Sequence, residues 1–248
     1  MKQLRIKRTA LLVAAGAIAY LVGFLSTTRS APAQTPGRSD TPVRFDLKVR
    51  EDFFAGLTGD TERFARGMKI CEEVLAANPK DADALVWHGV GIFSQAGQAF
   101  QGGDQAKGME LWTRGLKEMQ TAVELAPDDP GTRIPQGAAL FAASRAVPPE
   151  MANPLLKAAL ADYEHVYELQ KPNFASIGTH PRGELLFGLA EGYSRFGNAE
   201  KAQVYFEQIK NDLPNTAYAK RADLWLTTKS LPANQTGCVG CHVAKPHA

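Results

Sequence analysis

The sequence predicts an all-α fold: a solenoid of helical hairpins closed by a capping helix and followed by a short C-terminal tail. Three observations predict it. No stretch shows sustained period-two alternation, so strands are not expected. From about Lys48 onward, apolar residues recur at helical spacing. Gly, Pro and Asn residues then break that pattern at intervals suited to one hairpin each. The 248-residue chain is 44% hydrophobic and 22% charged, enough for a sizeable core and ordinary for a globular protein. That composition excludes a disordered chain, a collagen-like repeat and a multi-span membrane protein. Three cysteines are too few for a disulfide-stapled miniprotein.

The N-terminal element, residues 1–33, is an export segment. Lys2 to Arg8 is basic, and Ala10 to Leu25 runs without charge and is rich in Leu, Ala and Val. Ala31-Pro32-Ala33 then gives the small-x-small pattern of a cleavage site, so a signal peptide cleaved after Ala33 is one reading. An uncleaved membrane anchor over Thr9 to Thr28 is the other, because that stretch has about the length needed to span a bilayer. Both readings leave the rest of the chain outside the cytoplasm, periplasmic or otherwise exported. The net charge of +2 is concentrated here: without Lys2, Arg5, Lys7, Arg8 and Arg29, 23 basic residues face 26 acidic ones. A remainder of that sign carries no electrostatic footprint for nucleic acid. Residues 34–47 follow as a linker, opening on a Thr-, Pro-, Gly- and Ser-containing run to Pro42.

Residues 48–229 carry the hairpins. The run from Cys71 to Phe93 contains a helix end, Asn78-Pro79, and then a new helix with Gly89. The run from Ala122 to Phe141 repeats this with Pro127 and Gly137, and the stretch around Pro172 does so weakly. The clearest pair is Pro181–Phe196 and Ala199–Leu213, joined by a tight turn at Gly197-Asn198 and followed by Pro214. In its first helix Leu185, Leu186, Leu189 and Tyr193 share a face; in the second, Ala202, Phe206 and Ile209 do. Pro79, Pro127, Pro172 and Pro214 lie 48, 45 and 42 residues apart. Ala217 to Thr228 is a last helix with no partner, the expected cap.

The last pair resembles a tetratricopeptide repeat. With Gly183 as first position, Leu189, Ala190, Tyr193, Gly197, Ala202, Phe206 and Pro214 fall where that repeat places its small, aromatic and terminal-proline residues. The resemblance covers roughly residues 50–229 and implies a scaffold that binds a protein partner. The proline spacing exceeds the usual 34-residue period, so helices or turns are extended, with Gln101-Gly102-Gly103-Asp104 a candidate insertion.

Residues 230–248 carry the chemistry. Cys238-Val239-Gly240-Cys241-His242 is C-x-x-C-H, the attachment motif of c-type haem. Two thiols three residues apart can each add across one vinyl group of a single haem, and the adjacent histidine then sits beneath the iron. From this composition the motif arises by chance with a probability of roughly 0.0007. This short run resembles c-type cytochromes, which implies one covalent haem c with His242 as proximal ligand. Two other readings stay open: a Cys238–Cys241 disulfide, or a zinc site from Cys238, Cys241, His242 and His247.

His180, placed as a cap residue with Pro181 at the first helical position, is the candidate distal ligand within the chain, and an open or intermolecular sixth position is the other reading. The other candidates have plainer roles. His88 is expected in the core and His165 on the surface or packed, and His247, only five residues past His242, is hard to fold round to the opposite haem face. Met68, Met109 and Met119 sit at core spacing, Cys71 reads as a buried thiol, and Trp87, Trp112 and Trp225 as core or groove residues. No nucleophile triad, phosphate loop or paired-carboxylate site is visible, so an enzyme is not expected. The joint expectation is a monohaem cytochrome passing one electron to a protein partner docked on the repeats. Its alternative is a protein-binding scaffold in which the haem or a disulfide is structural.

Overall fold

Short polar residues decide where the helices begin. The side chains of Asp60, Asp81, Asp104, Asp129, Asn198 and Thr216 each accept a hydrogen bond from a first-turn backbone N–H, at 2.7–3.1 Å. The structure, a computed structural model, describes residues 44–232. These lie within one unit, Pro42–Ala248. Residues 1–33, read from sequence as an export segment, most of the expected linker, and Cys238, Cys241, His242 and His247 lie outside the described residues.

The described chain is all-helical: α1 Asp46–Leu57, α2 Thr61–Ala77, α3 Ala82–Gln101, α4 Gln105–Leu125, α5 Pro130–Ala143, α6 Pro149–Gln170, α7 Thr179–Arg195, α8 Ala199–Asp212 and α9 Ala217–Thr228. A 3₁₀ turn, Lys171–Ser176, follows α6. The cap helix α9 has the limits expected from sequence, and α1 begins two residues before the expected Lys48. No helix among the described residues is long and apolar enough to cross a membrane.

Consecutive helices pair as α1 with α2, α3 with α4, α5 with α6 and α7 with α8, and α9 packs on α8. First helices also touch across pairs: α1 meets α3, α3 meets α5, and α7 meets α9. The crossing of α3 and α4 is close because both carry glycine there. A Cβ on Gly89 would lie 2.9 Å from the Met119 backbone nitrogen, and one on Gly115 would lie 2.7 Å from that of Phe93. The turns are equally constrained, since Gly103 and Gly197 both adopt φ of +85°, a conformation that side chains resist.

Gln101-Gly102-Gly103-Asp104 is not an insertion. The helical run continues to Gln101, Gly103 reverses the chain, and Asp104 caps α4. The hairpins owe their length to the helices themselves, with α3, α4 and α6 reaching 20, 21 and 22 residues.

Two apolar clusters form the interior. One gathers Phe53, Met68, Cys71, Trp87, Phe93 and Met119 from α1–α4; the other gathers Phe141, Tyr163, Leu186, Leu189, Phe206 and Trp225 from α5–α9. Trp112, Leu116 and Ala143 pack against both, so the core is continuous along the array. Met109 departs from expectation: it is 52% exposed rather than part of the core.

Buried carboxylates tie helices together. Asp162 on α6 is only 4% exposed and accepts from Arg133 Nη1 at 2.7 Å and Gln136 Nε2 at 2.8 Å, both on α5. Arg133 also donates to the Pro127 carbonyl, so it links the turn before α5 to α6. Burial holds the Asp162 carboxyl above its ordinary range even with these donors against it. Glu191 on α7 likewise pairs with Arg145 beyond α5 at 2.8 Å. Removing one partner of such a pair strands the other. Asp162→Ala is expected to lower unfolding stability by about 3–5 kcal/mol, read from urea denaturation. A loss below about 1 kcal/mol would mean that Arg133 finds another acceptor or reaches solvent.

Candidate functional site

The residues that attach the haem in the sequence reading are not described, so the site is built from the residues that would receive it. His180 is exposed near the start of α7. It is not the cap residue. Gly178 occupies that position with φ −56° and ψ 155°, Thr179 opens the helix, and Pro181 lies within its first turn. Proline is tolerated there because first-turn N–H groups have no intrahelical partner.

Helix α9 determines what His180 touches. Trp225 Nε1 donates to Ser194 Oγ at 2.8 Å near the end of α7, while Tyr218 reaches His180 and Glu184 near its beginning. The two helices therefore run parallel, as stacked first helices of successive hairpins do. Gly183 makes room for this: a Cβ there would collide with the Tyr218 ring. Beneath the contact, Phe206 stacks on Trp225 at 4.5 Å between ring centroids, and the Arg221 guanidinium lies 3.7 Å from the Phe187 ring centroid.

The hydrogen-bond order at Tyr218 fixes a tautomer. Its hydroxyl donates to Glu184 Oε1 at 2.7 Å, and it carries only one hydrogen. The His180 Nδ1–Tyr218 oxygen contact of 2.9 Å must then have Nδ1–H as donor. This assignment leaves the lone pair of a neutral His180 on Nε2. A carboxylate–hydroxyl–imidazole chain of this kind sets ring orientation and ligand basicity at metal-binding histidines. Sequence reading missed Tyr218 and Glu184. The four-residue spacing of His180 and Glu184 on one helix was available as a signal, whereas the approach of α9 is tertiary.

The chain leaving α9 stays against this hairpin. Lys229 turns with φ 57°, its Nζ lies 4.8 Å from the Trp225 ring centroid and donates to Gln203 Oε1 at 3.1 Å. Leu231 packs against the same apolar cluster.

The other candidate ligands lie elsewhere with partners of their own. His88 is 4% exposed, with Nδ1 2.5 Å from Glu118 Oε2, linking α3 to α4. Burial alone would raise the Glu118 carboxyl, but His88 and Arg114 outweigh it and hold it below its ordinary range. His165 Nε2 lies 2.8 Å from Asp128 at the surface. Met68 and Met119 are buried. Cys71 is buried too, and desolvation pushes its thiol up to about 12, which leaves it unreactive near neutral pH. Among the described residues no three His, Cys, Asp or Glu side chains converge as a metal site.

Comparison with family models, with curated proteins and with solved structures finds no match to the chain.

Proposed function

We propose that this protein is an exported monohaem c-type cytochrome that exchanges single electrons with a protein partner docked on a tetratricopeptide-like array. Cys238 and Cys241 hold one haem c covalently, His242 is its proximal ligand and His180 its distal ligand. The observation that carries the reading is the run Cys238-Val239-Gly240-Cys241-His242 behind an export segment. The two signals are independent, and covalent haem attachment outside the cytoplasm requires both.

The described residues fit such a group in three respects. His180 is exposed and carries its acceptor lone pair on Nε2, as iron ligation requires. Glu184 and Tyr218 hold the imidazole ring in place, so little orientational freedom is lost on ligation. The chain entering the tail is seated on the hairpin that bears His180. A haem bound there supplies one-electron exchange between ferric and ferrous iron. The protein's part is to orient the ligands and to cover apolar faces that would otherwise meet water.

The repeat reading draws on packing. First helices contact one another across hairpins, glycines sit at the α3–α4 crossing, and Pro79, Pro127 and Pro214 lie in the turns after second helices. The helices are longer than the standard unit's, which lengthens the surface each hairpin offers to a partner.

The test is the mass and spectrum of the full chain made in a host that exports it and attaches haem. One haem per chain, retained through acid extraction and giving a c-type absorption spectrum, is expected. A haem-free chain with Cys238 and Cys241 oxidised to a disulfide would overturn the cytochrome reading and leave a binding scaffold.

A further inference from the structure

A cavity of about 340 Å³ opens between the end of α6, the 3₁₀ turn, and facing parts of α7 and α8. Tyr167, Lys171, Phe174, Arg182, Gln208 and Asp212 line it. Its volume lies at the lower end of the range for small-molecule sites. We infer that this cavity binds a small molecule with a single carboxylate on an apolar body, and that Arg182 holds the carboxylate.

Arg182 is the first reason. Its Nε is buried and has no hydrogen-bond partner, and no ion pair to its guanidinium occurs among the described residues. A buried N–H without an acceptor is costly, and a planar guanidinium is matched best by a carboxylate or phosphate. The remaining polar groups of the lining are occupied with each other. Tyr167 donates its hydroxyl hydrogen to Gln208 Oε1 at 3.0 Å, and Gln208 Nε2 donates to Asp212 Oδ2 at 3.1 Å. The Nη groups of Arg182, which unlike Nε are not buried, are therefore the directional donors a ligand in the cavity can reach.

Charge and shape narrow the ligand. Lys171 and Arg182 face one carboxylate, Asp212, so the lining carries a net single positive charge. That balance suits a monoanion and disfavours a doubly charged phosphate. Lys171 pairs with Glu168 at 3.2 Å, but both are exposed and the pair is easily given up. The Tyr167 and Phe174 rings meet edge to face at 5.3 Å and provide an apolar wall. The carboxylate could come from a free small acid or from a propionate of a haem on this chain, and the inference stands without the haem.

The probe is 3-phenylpropanoate, titrated by calorimetry and by the ¹⁵N signal of the Arg182 Nε–H. Full chain and the Cys238→Ala/Cys241→Ala variant are compared, with 3-phenylpropanamide and inorganic phosphate as controls. Saturable binding that shifts the Arg182 signal is expected, weakened about tenfold or more by Arg182→Gln. The amide and phosphate should bind at least about tenfold more weakly than the acid. Binding to both forms of the chain identifies a free acid as ligand. Binding to the cysteine variant alone identifies a haem propionate as the resident carboxylate. Equal binding of acid and amide, equal binding by Arg182→Gln, phosphate binding as tight as the acid, or no binding to either form would each overturn the inference. The signal of the unmutated Arg182 keeps the test decisive if Arg182→Gln perturbs the fold.

Discussion

Replacing Cys238 and Cys241 together with alanine is expected to abolish covalent haem and leave the helical array folded. The chemical half of this expectation is stoichiometric: each thioether needs its thiol, so the double variant has no bond to the cofactor. The structural half rests on where the core lies. Both apolar clusters are built from α1–α9 with neighbouring residues such as Leu231, and every helix that is side-chain capped takes its cap from within 60–216. The far-ultraviolet dichroism and the urea midpoint should therefore match those of the unmutated chain stripped of haem. Intact mass should fall by one haem beyond the two sulfur atoms. Retention of covalent haem by the double variant would refute the attachment sites. Loss of helix in the variant would refute the independence of array and tail.

Much of the array was legible because its signals are local. Asn78-Pro79 follows the end of α2 and Gly197-Asn198 separates α7 from α8, so each break marks its helix limits within two or three residues. Gly197 and the limits of α9 were legible for the same reason. The errors arose where a local rule competed with helix continuity. Gly102-Gly103 looked like loop, yet one glycine at positive φ suffices to reverse the chain. Pro181 looked like a first helical residue, but the helix starts two residues earlier, where a proline ring is still tolerated in the first turn. Met109 has core spacing on α4 and still faces outward, because periodicity fixes a face without saying which neighbour covers it. The Tyr218–His180–Glu184 chain was illegible in principle: it joins residues 38 and 34 apart in sequence, and only the stacking of α9 on α7 makes it. The haem motif is the opposite case, carried wholly by sequence.

Replacing His180 with alanine is expected to convert a six-coordinate haem with two histidine ligands into a five-coordinate one that binds carbon monoxide. The geometry sets a demanding condition. Because α9 runs parallel to α7, the tail departs beside Ser194, the far end of α7 from His180. Returning along that helix from Ser194 to His180 covers about 21 Å at 1.5 Å per residue. Eight or nine residues between Lys229 and Cys238 reach about 27–30 Å when extended, which is sufficient with little slack. Shortening this segment by three residues should therefore break distal ligation as completely as removing His180 does. Tyr218→Phe is a milder probe: it keeps the ligand but removes the acceptor that orients Nδ1–H, so the carbon-monoxide adduct should form partially. His180→Met should raise the reduction potential, as a methionine ligand does relative to histidine. The readouts are the ferrous spectrum with and without carbon monoxide and a potentiometric titration. An unchanged spectrum in His180→Ala would remove His180 from the iron and move the distal position to His247, to water or to another chain. A spectrum that changes in His180→Ala but not in the shortened tail would show that the haem reaches His180 from a neighbouring molecule.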